Sequence, residues 1–256
     1  MFKEIQIKNK KGLKLSAVIG IPDKNKKSPA IILLHGFTGY KAEEHILSLS
    51  KFLTQNGYVT IRFDSSGFGE SEGSTEKEYR VSNYVKDIEC VYNYLLKQKF
   101  VDKNRMGVWG QSMGGMLSII FGSKHPEIKA VCAVSTPTQI TRADALEGWL
   151  REWKEKGSFD KWSSKYGQVK IPYAFVEDSK QWSALDSIKL INAPTLIILG
   201  TIDDTVLPNN TRQVFQSANK PKELFEVDKM NHDYKKNPAQ IKIVNNKVLK
   251  FFNRYL

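Results

Sequence analysis

Short, continuously apolar runs alternate with helix-length stretches along the chain. This predicts an α/β protein with a mostly parallel sheet of about eight strands flanked by helices. Two other features complete the expectation. An alternating pair of segments at the N-terminus reads as an antiparallel hairpin at one sheet edge, and residues 137–188 lose the strand pattern and read as an inserted cap. With 41% hydrophobic and 26% charged residues over 256 positions, the chain can bury a sizeable core, which excludes a disordered or fibrous protein.

The hairpin comes from alternation over 2–7 and again over 13–21, around a turn at 10–12. Apolar runs then recur at 30–34, 58–63, 105–109, 129–134, 195–199 and 224–227. They are continuous rather than alternating, as strands with helices on both faces must be. Helix-length segments lie at 43–55, 76–98, 113–123, 209–218 and 239–252. In such a sheet the chemistry gathers at the carboxyl ends of the strands.

The expected organisation is one core from 1–136 and 189–256, with 137–188 as a cap over the sheet's carboxyl end. That segment balances eight basic against eight acidic residues and holds four of the five tryptophans, Trp149, Trp153, Trp162 and Trp182. Phe159, Tyr166, Tyr173 and Phe175 accompany them. Most such rings form a small core of their own, but there are more here than a cap of this size needs, which leaves some to face a ligand.

Charge is the compositional outlier: 39 Lys and Arg against 27 Asp and Glu give +12. The excess is scattered in short groups, as at 8–11, 24–27 and 235–236, rather than gathered on one element with interleaved aromatics. A solvated surface is expected, and no nucleic-acid partner. Two cysteines, Cys90 and Cys132, are too few for a disulfide framework, and the start MFKEIQIKNK lacks a signal-peptide core. No run approaches the roughly 20 apolar residues of a membrane span. The expectation is a cytoplasmic protein without stable membrane insertion; a homodimer is compatible with the sequence.

The chemistry centres on Gly110-Gln-Ser112-Met-Gly114, between a strand and a helix. A serine on so tight a strand-to-helix turn needs small residues two before and two after it, because side chains there would collide with backbone. Its hydroxyl is a poor nucleophile without a general base oriented by a carboxylate. Of four histidines, His45 falls in a polar helix and His125 at a helix end, so both read as surface or capping residues. His35 ends a strand ahead of the serine, while His232 follows the last strand and is the candidate base. The loop after 195–199 offers two neighbouring acids, Asp203 and Asp204, which spacing does not separate. Oxyanion donors are expected from the amide of Met113 and, in the turn His35-Gly-Phe37-Thr-Gly39, from that of Phe37.

Two other patterns carry less. Gly67-Phe-Gly69-Glu-Ser-Glu-Gly73 lacks the third glycine of a dinucleotide fingerprint, because Glu72 stands there. The C-terminal stripe of Ile241, Val244, Val248, Phe252 and Tyr255 reads as a helix packed on the sheet rather than a membrane-surface helix.

In chain order, HGFTG at 35–39, DSSGFGES at 64–71, GQSMGG at 110–115, GTIDDTV at 200–206 and NHDY at 231–234 resemble the α/β-hydrolase superfamily. The order Ser112, Asp203, His232 matches its triad. Its acid loop, Gly-x-x-Asp-x-x-Val, places the acid at Asp203. Within the superfamily the chain is most similar to bacterial cinnamoyl and feruloyl esterases, through HGFTG with Lys41 and Glu43-Glu44 after it, the GTxDxxV loop and the length of the insertion. Those esterases more often have His where this chain has Gln111. The resemblance implies a carboxylesterase acting on small or aromatic acyl esters through Ser112, Asp203 and His232, needing neither metal nor organic cofactor. A monoacylglycerol lipase or acyl thioesterase would share every one of these residues. A peptidase on this fold usually carries a large appendage, and a non-catalytic ligand-binding protein would not need an intact triad.

Overall fold

The computed structural model describes residues 1–140, 144–163 and 165–256 and, of 144–148, the backbone alone. The chain opens with the antiparallel strands β1 (Phe2–Lys8) and β2 (Lys14–Gly20). Gly12 takes the positive φ (82°) that the connecting turn requires. Then come β3 (Ser28–Leu34), α1 (Glu44–Gln55), β4 (Val59–Phe63), α2 (Thr75–Glu78), α3 (Val81–Leu96), β5 (Val101–Gln111), α4 (Met113–Lys124) and β6 (Ala130–Val134). Next follow α5 (Asp144–Lys156), a ribbon of β7 (Ser158–Ser163) and β8 (Gly167–Pro172), α6 (Ala174–Ser179) and α7 (Ala184–Ile188). The chain ends with β9 (Thr195–Gly200), α8 (Pro208–Ser217), β10 (Lys222–Val227) and α9 (Pro238–Tyr255).

The main sheet has eight strands in the order β1-β2-β4-β3-β5-β6-β9-β10. Strand β2 is antiparallel to both neighbours, and every pairing from β4 to β10 is parallel, so β1 and β10 are the two edges. Side chains of β3 divide between the faces with a period of two. Ala30, Ile32 and Leu34 pack with Ile88 of α3 and Met116 of α4, while Ile31 and Leu33 pack with Leu49 of α1 and Val244 of α9. Helices on both faces explain why these strands read as unbroken apolar runs, each large side chain gaining about 1.5–3 kcal/mol on full burial.

The structure departs from the sequence reading in three places. The single helix expected over 76–98 is two, because Tyr79 (ψ 89°) and Arg80 (ψ 148°) leave helical geometry. Arg80 closes the first by donating from its guanidinium to the carbonyls of Glu76 and Tyr79, both at 2.8 Å. The stretch without strand signal holds the β7–β8 ribbon. Its alternation is carried by Asp160, Trp162, Gln168 and Lys170 on an exposed face, so it lacks the apolar run of a core strand. Residues 141–143 and 164 of that stretch lie outside the described residues.

The third departure is His45. It is buried on α1 between Trp109 and Tyr234, with ring centroids 5.9 and 5.4 Å away. Neither of its ring nitrogens, nor the Trp109 indole N–H, has a hydrogen-bond partner among the described residues. Burial pushes its pKa down to about 4, against a smaller upward pull from Glu43. The unfolded chain protonates this imidazole near pH 6.5 and the folded one only near 4. Stability from this group is therefore complete above the upper value and falls as pH drops, by up to about 3 kcal/mol. Urea midpoints at about pH 7 and about pH 4 should lie further apart for the wild type than for His45→Phe; equal separations would refute this.

Candidate active site

Strand β5 ends at Gln111 and α4 begins at Met113, so Ser112 alone turns strand into helix. Its backbone sits at φ 58° and ψ −123°, a conformation that a residue with a Cβ holds only under constraint. The constraint is close packing. A Cβ on Gly110 would overlap the Gly114 carbonyl, one on Gly114 the Leu34 carbonyl, and one on Gly115 the Thr136 hydroxyl. The Ser112 amide donates to the Val134 carbonyl of the next strand at 2.8 Å, tying the turn to the sheet.

His232, in the loop after β10, places Nε2 3.1 Å from Ser112 Oγ and Nδ1 3.0 Å from Asp203 Oδ2. A carboxylate on the Nδ1 side selects the tautomer protonated there, leaving the Nε2 lone pair for the serine proton. Asp203 is buried in the turn after β9, where its Oδ1 accepts the amides of Thr205 at 3.1 Å and Val206 at 2.9 Å. Asp204 is exposed, with the Thr205 hydroxyl 3.3 Å from its carboxylate. The structure thus brings Ser112, Asp203 and His232 together, with Asp203 rather than Asp204 against the imidazole.

The remaining histidines stand elsewhere. His35 is buried, its Nε2 accepting the Ser65 amide at 3.3 Å and its Nδ1 2.9 Å from the Gly36 carbonyl, and burial holds its pKa low. It joins two loops and does not reach the serine. His125 follows α4 and lies between Glu89 at 2.6 Å and Glu127 at 2.7 Å.

The turn after β3 presses on the serine: a Cβ on Gly36 would stand 3.3 Å from Ser112 Cβ. The amides of Phe37, next in the chain, and Met113, first in α4, donate to no protein group among the described residues. They are two open donors in the segments that adjoin Ser112, one of them at the positive end of a helix dipole. The Phe37 ring lies 5.0 Å from Phe175 and 6.2 Å from Trp153, both from the stretch between β6 and β9. Of the four tryptophans there, Trp153 is buried, with its indole N–H donating to the Ile171 carbonyl at 2.9 Å. Trp182 is half-buried and donates to Ser82 Oγ at 3.0 Å. Trp149 and Trp162 are exposed.

Two sets of polar contacts were not foreseen from the sequence. Gln111 Nε2 lies 3.4 Å from His232 Nε2 and donates to the His232 carbonyl at 3.3 Å, so a neutral amide stands beside the imidazole. Asp64, at the end of β4, is fully buried and accepts from the Lys41 amide at 2.6 Å, Lys41 Nζ at 2.7 Å and the Glu70 amide at 3.0 Å. Glu70 in turn bridges Lys41 at 2.7 Å and Lys165 of the β7–β8 turn at 2.6 Å, and these ammonium groups hold its pKa at about 2. In the sequence, Lys41 and the DSSGFGES segment at 64–71 stand out only through the family resemblance, which does not show that they meet.

A model of the prolyl oligopeptidase family matches residues 45–256. The chain belongs to that family. This prolyl oligopeptidase family member is 27% identical over 255 residues to an uncharacterised 31.7 kDa Escherichia coli protein of the traX-finO intergenic region, covering 83% of this chain and 86% of that one. It is 30% identical over 194 residues to the mitochondrial palmitoyl-protein thioesterase ABHD10 of Pongo abelii, over 73% of this chain and 61% of the thioesterase. Its fold matches Est1E of Butyrivibrio proteoclasticus, solved with ferulic acid bound, at a TM-score of 0.83 and 24% identity, covering 98% of each chain. Family and fold together make the protein a hydrolase of the α/β-hydrolase superfamily. Among the described residues, no helix is long and apolar enough to cross a membrane.

The packing at the serine turn has a direct test. Gly114→Ala sets a methyl group against the Leu34 carbonyl, an atom of the central sheet that cannot retreat. The variant should lose about 1–3 kcal/mol or more in urea unfolding. A wild-type midpoint would show that the turn has room.

Proposed function

We propose that the protein is a serine carboxylic-ester hydrolase working through an acyl-enzyme. Ser112 is the nucleophile, His232 the proton carrier and Asp203 the carboxylate that orients it. The observation that carries this reading is the unbroken contact chain, 3.1 Å from Ser112 Oγ to His232 Nε2 and 3.0 Å from His232 Nδ1 to Asp203. As Oγ attacks the ester carbonyl carbon, its proton passes to Nε2, and the carbonyl oxygen takes up negative charge facing the Phe37 and Met113 amides. The bond to the alkoxy oxygen then breaks, and that oxygen takes the proton from Nε2 and leaves as the alcohol. A water gives a proton to Nε2 as it attacks the acyl carbon, and the free acid departs when Ser112 recovers its hydrogen.

For substrate, the reading is small or aromatic acyl esters of the cinnamoyl and feruloyl kind. The HGFTG and GTIDDTV segments support it, as does the likeness to Est1E, which binds ferulic acid. The stretch 137–188 serves as a cap over this site, a role supported by the contacts of Trp153 and Phe175 with Phe37. A cytoplasmic setting fits the two free thiols of Cys90 and Cys132. A second reading, an acyl thioesterase, is favoured by the 30% identity to a palmitoyl-protein thioesterase. The same groups would then expel a thiol.

One panel separates these readings: p-nitrophenyl butyrate, methyl ferulate, a long-chain p-nitrophenyl ester, a palmitoyl thioester and a peptide p-nitroanilide, each with wild type and Ser112→Ala. Methyl ferulate should give the highest kcat/KM, and the serine variant should lose on the order of 10³-fold or more on every substrate turned over. Activity retained by Ser112→Ala would end the acyl-enzyme reading. Asp203→Asn should cost on the order of 10³- to 10⁴-fold in kcat and Asp204→Asn less than about threefold, and the reverse order would move the acid to Asp204. Gln111→Glu, placing a carboxylate beside Nε2, should raise the pKa of the acidic limb of kcat/KM. An unshifted limb would mean that position 111 does not face the base.

A further inference from the structure

Two buried tyrosines, Tyr79 in the break between α2 and α3 and Tyr84 in the first turn of α3, hold the turn that carries Phe37. The Tyr79 hydroxyl accepts the Thr38 amide at 2.8 Å. The Tyr84 hydroxyl accepts the His35 amide at 3.1 Å and lies 3.4 Å from the His35 carbonyl, to which its own proton is directed. The main-chain donors on either side of the Gly36-Phe37 pair are therefore occupied, while the Phe37 amide between them meets no protein acceptor among the described residues. Thr38 sits at φ 54°, a strained conformation for a branched side chain, so the turn needs a fixed partner to persist.

Both phenols are themselves immobilised. Tyr79 stacks on Phe175 at 5.3 Å and lies 4.9 Å from Phe68, and Tyr84 meets Phe63 edge-on at 5.6 Å. Burial raises the pKa of each and keeps it a neutral hydroxyl. Phe175 touches the rings of both Tyr79 and Phe37, so α6 braces the acceptor and the turn together.

We propose that Tyr79 is a positioning residue for acyl transfer: by fixing the Thr38 peptide through its hydroxyl, it sets the Phe37 amide toward the oxygen that becomes the oxyanion. This rests on the ester-hydrolase reading above. Tyr79 touches neither substrate nor the reacting atoms. Its contribution is felt when the carbonyl oxygen carries charge, and hardly at all when the ester is merely bound. Nothing in the sequence marks this role, since Tyr79 lies 41 positions from Thr38.

Tyr79→Phe keeps the ring and removes only the acceptor. The experiment measures kcat and KM for p-nitrophenyl butyrate, with Ki for an aryl trifluoromethyl ketone, whose carbonyl Ser112 can attack to give a tetrahedral oxyanion. The variant should lose on the order of tenfold in kcat with KM within about twofold of wild type, and Ki should rise by the factor that kcat/KM falls. The pH profile should keep its wild-type midpoint, because His232 is untouched. Wild-type kcat in Tyr79→Phe, or a reduced kcat with an unchanged Ki, overturns the proposal. Should Tyr79→Phe fail to fold, Tyr84→Phe takes its place, and the same paired change in kcat and Ki is required of it. A wild type inert on every ester overturns the hydrolase reading and this one with it, whereas an active wild type beside an unaffected Tyr79→Phe overturns the positioning role alone.

Discussion

The site depends first on a backbone forced into an unfavourable conformation. Ser112 can hold a positive φ because Gly110, Gly114 and Gly115 allow strand, helix and neighbouring loop to approach more closely than any Cβ would permit. The close approach seats Ser112 at the junction of strand and helix, where the first amide of α4 has no protein acceptor among the described residues. The cost of the strained residue is met by the packing of the central sheet, in which β3, β5 and β6 are buried on both faces. Loosening that packing would relax the turn and swing the hydroxyl off line, so fold and site are one construction here.

Around the serine, polar groups divide the labour of orientation. Backbone amides hold Asp203 from behind, Asp203 holds the imidazole, and Gln111 steadies the loop of His232. On the opposite side Asp64 gathers Lys41 and the Glu70 amide, fixing the two loops that follow β3 and β4. A buried carboxylate is tolerable there because a cation and two amides satisfy it at short range. Through Glu70 the same network reaches Lys165, so the ribbon beyond β6 is joined to the core by charge as well as by aromatic rings.

Much of the fold was legible because burial on both faces leaves a plain mark, the unbroken apolar run. The β7–β8 ribbon was not, because half of it faces water and its alternation is written in Asp160, Trp162, Gln168 and Lys170. Local spacing showed Gly110, Ser112 and Gly114 between strand and helix, since that chemistry is confined to five consecutive residues. It could not choose between Asp203 and Asp204, where the family pattern was needed and where a difference of one residue turns the side chain from the imidazole to solvent. His45 was misread because the acidic pair Glu43 and Glu44 precedes it and its helix was taken as polar, although Ile46 and Leu49 share its buried side. Its burial comes from Trp109 and Tyr234, each more than sixty positions away. Gln111, Tyr79 and Tyr84 act through contacts made only when distant segments meet, and no periodicity records them.

An eight-stranded sheet with two open edges must also be kept from growing. Strand β1 presents Lys3, Glu4 and Lys8, and β10 presents Lys222, Glu223 and Glu226, so both margins are studded with charge. At β10 these charges are engaged: Arg212 grips Glu226 through two nitrogens at 2.8 Å, and Lys247 holds Glu223 at 2.8 Å. A strand from a second molecule would have to displace those partners or bring unlike charges into register before its first ladder bond formed. The rims of the sheet thus act as a barrier to polymerisation, a colloidal safeguard for a chain whose central strands are continuously apolar.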